Sequence, residues 1–163
     1  MLRNKILDEV KFPKKKPINI AFSLNNNPKY IRYAKTTIAS ILLNADLDSY
    51  YNFYVIMDSE DPMSEINKKA LMSLNSIEPY SIEFKTIPKE IFQNKEGFDD
   101  IKTRLLFSRF LLENVLQELD YIITLDVDII VLRDLYKLQY QNDLGGYPIA
   151  GAIEGKDTRE KSL

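Results

Sequence analysis

Apolar positions along the chain alternate between two periods, one suited to strands and one to helices. After Pro17, the run Ile18, Ile20, Ala21 and Phe22 has the length and character of a short strand over 18–22. Asn25, Asn26, Asn27 and Pro28 end it, since asparagine caps a helix and proline fits its first turn. Over 30–43, Tyr30, Ala34, Ile38, Ile41 and Leu42 recur at three- and four-residue spacing, which predicts an amphipathic helix. The β-rich run 52–57, closing on Asp58, predicts a second strand. Ser64 then caps a predicted helix reaching Leu74, with Ile66, Ala70, Leu71 and Leu74 on one face.

The second half repeats the alternation. Residues 81–87 alternate polar and apolar, as a half-buried strand does, and 88–100 is an irregular stretch containing Gly97. A Leu- and Phe-rich helix is predicted over 103–116. The compact β-branched run 121–125 follows as a strand covered on both faces. Apolar character resumes at 129–132, and 149–153 reads as one more strand after the Gly145-Gly146 turn. The order βαβαβαβ, with a shorter β element at the end, predicts an α/β, Rossmann-like fold: a mostly parallel sheet with helices on both faces. Residues 1–17 form a lead-in and 18–163 one domain. Such sheets bind ligands beyond the carboxyl ends of their strands, which singles out the loop 23–28 and Asp126-Val127-Asp128.

Composition then narrows the chemistry. A chain of 163 residues, 45% hydrophobic and 28% charged, is an ordinary single globular domain. A net charge of −2 leaves no global basic field to attract nucleic acid. Cysteine and histidine are both absent, which excludes disulfides, thiolate or imidazole metal ligands and a Ser-His-Asp triad. Any metal here is held by oxygen, as hard cations such as Mg2+, Mn2+ or Ca2+ prefer. The lack of cysteine suits a cytoplasmic protein, and neither a secretory h-region nor the ~20 apolar residues of a membrane span is found. Lys11, Lys14, Lys15 and Lys16 offer a peripheral contact to the anionic cytoplasmic face of an inner membrane. A solvated lead-in accounts for them more simply.

Against that background the acids at 126 and 128 carry the strongest chemical signal. Extended backbone sends alternate side chains to the same side, so Asp126 and Asp128 converge while Val127 points away. Their mutual repulsion is relieved by a divalent cation that still has positions open for phosphate oxygens. A bare Asp-x-Asp is common, but this one sits between the apolar segments 122–125 and 129–132. Arg109 lies in a greasy helix and needs an anion, either one of these carboxylates or a bound sugar or phosphate; snorkelling to solvent or pairing with Glu113 is the plainer account. Ser23, Asn25 and Tyr30 lie where a nucleoside sits in an open α/β sheet, though an Asn-rich helix entry with Tyr30 packed inward explains them structurally. Glu154 is a further carboxylate at the same edge, or simply a surface acid.

Taken together these residues resemble the family 8 glycosyltransferases, retaining enzymes of the GT-A fold that include bacterial lipopolysaccharide galactosyl- and glucosyltransferases and glycogenin. The resemblance runs through 18–22, 37–42 and Ser108-Arg109-Phe110. It is most specific over 119–135, around Leu125-Asp126-Val127-Asp128-Ile129, and continues over 142–150. It implies a hexosyltransferase using UDP-glucose or UDP-galactose, a saccharide acceptor and Mn2+ or Mg2+. Asp126 and Asp128 match the metal pair, with Val127 between them. Arg109 matches an arginine beside the donor sugar, and Ser23, Asn25 and Tyr30 fall near uracil and ribose. Glu154 replaces an aspartate near the reacting sugar, and asparagines replace the acidic first loop. The family's histidine ligand and diphosphate-binding lysine belong to a C-terminal region that this sequence does not contain. The expectation is therefore a donor-binding portion, truncated at its C-terminus, that binds UDP-sugar and transfers the sugar poorly or not at all. A catalytically incomplete sugar-nucleotide- or partner-binding domain is the main alternative. A phosphoryl-transfer enzyme ranks last for want of a Gly-rich phosphate loop.

Overall fold

The computed structural model describes residues 17–93, 96–141, 146 and 149–151. Four strands, β1 (Ile18–Ser23), β2 (Tyr51–Asp58), β3 (Ser81–Ile87) and β4 (Ile123–Thr124), form one sheet in the order β3-β2-β1-β4. All pairings are parallel, with Ile18 opposite Tyr51, Asn52 opposite Ser81 and Ile20 opposite Ile123. Among the described residues, four α-helices connect or follow them: α1 (Pro28–Leu43), α2 (Glu65–Met72), α3 (Ile101–Phe107) and α4 (Tyr136–Tyr140).

Local chemistry starts the first three helices where the capping rules put them. The Asn27 side chain accepts from the Lys29 amide with Pro28 in the first turn, Ser64 accepts from Asn67, and Asp100 accepts from Lys102 and Thr103. Period-two alternation in the central strands then feeds two cores. Ile18, Ile20, Phe22, Phe53 and Val55 pack with Ile31, Ala34, Ile38 and Ile41 of α1 on one face. Ala21, Tyr54, Ile56 and Ile87 pack with Phe92, Leu112 and Leu116 on the other. Each such side chain contributes about 1.5–3 kcal/mol by leaving water, so the doubly covered centre is the thermodynamic heart of the fold.

Several elements differ from the expectations. The predicted helix over 103–116 is α-helical only to Phe107 and continues as a 3₁₀ helix, Ser108–Asn114. The Leu105 carbonyl accepts both the Ser108 amide and the Ser108 hydroxyl, a three-residue pattern that tightens the turn. The helix predicted to reach Leu74 likewise ends at Met72 and gives way to a 3₁₀ turn, Ser73–Ser76. The strand expected at 121–125, covered on both faces, pairs over two residues only, at the sheet edge, and Tyr121 and Thr124 are exposed. Residues 149–151, the described part of the strand expected at 149–153, form no strand. The lead-in 1–16, most of 142–148 and Glu154 lie outside the described residues. Among the described residues no helix is long and apolar enough to cross a membrane.

Candidate functional site

From β1 the chain crosses to β2 on one side; from β3 it returns across the sheet to β4 on the other side of β1. The strand order reverses there, and a crevice opens at the carboxyl ends of β1 and β4. A cavity of about 230 Å³ occupies this place, bordered by Ser23 from β1, Tyr30 from α1, Arg109 from the 3₁₀ helix and Asp126, Val127 and Asp128 after β4. That is smaller than the ~300–1,000 Å³ of pockets that engulf a drug-sized ligand, leaving room for only part of such a molecule.

Ladder pairing ends at Thr124, and the chain turns at Val127-Asp128. Ile123, Leu125, Val127 and Ile129 pack against the core, while Thr124, Asp126, Asp128 and Ile130 are exposed. Both carboxylates border the same cavity, as expected, but through a turn rather than an extended strand, and Val127 lines that cavity too while packing partly against the core. Asp126 is 66% exposed, and its Oδ1 accepts from Arg109 Nη2 at 3.2 Å. The arginine therefore chooses Asp126; its Nε donates to the Leu106 carbonyl.

Ser23 Oγ and Ser108 Oγ lie 2.6 Å apart and share a hydrogen bond, and Ser108 Oγ is also 2.7 Å from the Leu105 carbonyl. Tyr30 is not an inward-packed staple: it is 37% exposed, edge-on to Tyr33 at 6.1 Å. Asn25 does not border the cavity, and its Oδ1 accepts from the Asn27 amide. Asn26 knits this loop to the next one, accepting at Oδ1 from the Ser64 amide and the Asn67 side chain.

Two features of the surroundings escaped the sequence reading. Arg104, only 5% exposed, forks onto Asp58 at 2.6 and 3.2 Å, reaches Glu60 at 2.7 Å and donates to the carbonyls of Phe98 and Asp99. It ties the helix leading to Arg109 to the carboxyl end of β2. Thr37 and Ser40, hydroxyls on the buried face of α1, bond to the backbone of 127–131. Polar residues on an otherwise apolar helix face were the available signal for the second.

The residues fit a hard divalent cation. Two exposed carboxylates share a cavity, and no group of three or more acidic, His or Cys side chains that could hold a metal occurs among the described residues. Two carboxylates with the remaining positions left to phosphate and water is the coordination that Mg2+ accepts and that suits Mn2+.

The sequence pattern of glycosyl transferase family 8 matches residues 19–162. Among solved structures the fold is similar to an active-site mutant of LgtC, at 24% identity over 78% of this chain and 43% of that one, with a TM-score of 0.59. It is also similar to the galactosyltransferase LgtC in complex with donor and acceptor sugar analogs, at 22% identity over 78% and 44%, TM-score 0.56. The apo bifunctional glycosyltransferase WbbM matches at 20% identity over 79% of this chain and 21% of that one, TM-score 0.56. At these identities the likeness establishes the GT-A-like architecture. The chain spans less than half the length of these proteins. None of the curated proteins is similar enough to match.

Proposed function

The chain belongs to glycosyl transferase family 8, and from that premise we propose that it forms the nucleotide-sugar-binding part of a retaining hexosyltransferase. The donor is a UDP-hexose, the acceptor a saccharide, and a divalent cation joins donor to protein. One observation carries this reading: two exposed carboxylates and a single guanidinium border the cavity at the strand-order reversal of a parallel sheet. A diphosphate cannot approach a pair of ionised acids unaided, whereas a cation held between them turns the same acids into a diphosphate site.

In this reading Asp126 and Asp128 hold Mn2+ or Mg2+. A cation held there would supply positive charge against that building on the departing diphosphate. Arg109 orients the donor sugar or its phosphates while steadying Asp126. The exposed ring of Tyr30 offers a face for the uracil, and the Ser23 hydroxyl hydrogen-bonds the nucleoside. Asn25, with its Oδ1 turned to the Asn27 amide, contributes from its amide nitrogen at the margin. Glu154, outside the described residues, is assigned to the reacting sugar by resemblance alone. The likeness to the LgtC complex with donor and acceptor sugar analogs supports the same assignment of ligand class.

Calorimetric titration with UDP-glucose and UDP-galactose, with and without Mn2+, tests it on wild type and Asp128→Ala. The expected result is binding that requires Mn2+ and weakens at least tenfold in the variant, about 1.4 kcal/mol. Binding indifferent to both metal and substitution would remove the site assignment. Metal-dependent binding without transfer by the whole natural protein would favour the binding-domain alternative.

A further inference from the structure

The segment that bears the two acids has left the sheet. β4 pairs with β1 at Ile123 and Thr124, one more bond runs from the Leu125 amide to the Ala21 carbonyl, and the ladder stops. Backbone groups beyond that point need other partners, because a carbonyl or amide taken from water without one is costly. α1 provides them. Thr37 Oγ1, fully buried, lies 2.7 Å from the Val127 carbonyl and 2.8 Å from the Ile129 carbonyl, so its one proton is shared between them. Ser40 Oγ donates to the Thr37 carbonyl at 2.7 Å and accepts from the Val131 amide at 2.9 Å. Asn44 Nδ2 donates to the Val131 carbonyl at 3.1 Å and to the Ser40 carbonyl at 2.9 Å. Positions 37, 40 and 44 lie on one stripe of the helix, three and four residues apart.

We infer that this stripe is a rack that substitutes for a neighbouring strand, and that Thr37 is the positioning residue for the acid pair. The Thr37 hydroxyl grips the carbonyls of Val127 and Ile129, the residues that flank Asp128, and so fixes which way the Asp128 side chain leaves the backbone. A one-residue slip against this rack would exchange the exposed and inward sets and send both carboxylates toward the core. Thr37 touches neither cation nor nucleotide. It holds the backbone, and the backbone presents the carboxylates in the geometry a hard cation requires. The functional consequence rests on the cation reading above; the mechanical one does not.

Thr37→Val keeps shape and removes only the proton donor, Thr37→Ser restores it, and Ser40→Ala removes the next rung. Two readouts are taken on the full chain: amide hydrogen exchange across 125–132 without ligand, and the Mn2+ concentration that half-saturates UDP binding. Thr37→Val is expected to speed exchange at Val131, the amide held by Ser40, and to raise the Mn2+ requirement about tenfold, as loss of a ligand-orienting partner typically does. Thr37→Ser is expected to return both toward wild type. A Thr37→Val protein with a lower melting temperature but unchanged exchange and Mn2+ requirement would overturn the proposal, leaving a mere core hydroxyl. Should wild-type binding itself ignore Mn2+, the cation reading fails and exchange alone decides: faster in Thr37→Val upholds the rack, unchanged sinks it. If Thr37→Val does not fold, Ser40→Ala is read by the same two criteria.

Discussion

Asp58→Ala offers the most direct test of how this molecule is held together behind its site. Asp58 and Arg104 are 1% and 5% exposed, and the guanidinium meets the carboxylate with two of its nitrogens. Removing the acid strands a cation in the interior, and breaking such a pair typically costs about 3–5 kcal/mol. The remaining partners of Arg104 are Glu60, a half-exposed acid, and the carbonyls of Phe98 and Asp99, which soften the loss. The lower end, about 3 kcal/mol, is therefore expected. For a domain of this size that is a fall of about 6–12 °C in Tm, and with a urea m-value of about 2 kcal/mol/M a midpoint lower by about 1.5 M. The diagnostic variant is the double change Asp58→Ala with Arg104→Met. If the stranded charge is the cause, the double variant is more stable than Asp58→Ala alone, because its interior no longer holds an unpaired ion. Urea unfolding of the wild type, both singles and the double forms a complete cycle. A single-variant cost below about 1 kcal/mol, or a double variant no more stable than Asp58→Ala, would refute the argument.

Asp134 supplies a pH dependence. Burial pushes its carboxyl up, but the amides of Asp46 and Tyr136 and the Tyr51 hydroxyl outweigh that and hold it below the usual 3.8. A depressed folded value means stability fully present above the unfolded pKa and lost as pH falls below it, so the advantage of wild type over Asp134→Asn in urea unfolding should shrink below about pH 4. Ser64→Ala removes the acceptor for the Asn67 amide and should cost about 1 kcal/mol in the same assay, without altering nucleotide binding. Arg109→Ala should change stability by less than about 1 kcal/mol, since its pair with Asp126 is solvent-exposed, yet weaken UDP-sugar binding about tenfold; the reverse pattern would make Arg109 structural. In the presence of a chelator uridine should bind at least as well as UDP, and Mn2+ should invert that order; a chelator-treated protein that prefers UDP would argue against the acid pair as the diphosphate site.

The elements most legible in the sequence were those whose surroundings are uniform. β1 and β2 are covered on both faces and read as apolar runs, and α1 shows its buried stripe and its Asn27-Pro28 start without outside information. The run 121–125 looked identical to them by composition. Its β-branched residues cannot announce that no described strand covers their outer edge, so a two-residue edge strand was read as an interior one. The two arginines make the same point about the site. Arg104 and Arg109 both sit among leucines and phenylalanines, and a cation in such a setting needs an anion. Arg109 finds Asp126 across the cavity, whereas Arg104 is buried on Asp58, 46 residues away in sequence. Pairing at that distance is a property of the sheet order, which no local pattern contains.

Charge decides what the cavity can accept. Asp126 and Asp128 contribute two negative charges and Arg109 one positive, so the lining leans negative by one before anything binds. Two like charges about 4 Å apart repel by roughly 4 kcal/mol at the effective dielectric of a protein surface. A diphosphate facing both acids would meet that cost more than once, and a single guanidinium already shared with Asp126 offsets only part of it. A doubly charged cation between the acids reverses the lining to a net positive charge. Because the exposed acids keep their hydration until then, the cation need not enter a dry interior to reach them. The edge position of β4 serves that end. A strand covered on both faces would have buried both carboxylates, whereas a segment that leaves the ladder beyond β4 and leans on α1 keeps both acids in water and beside the same cavity.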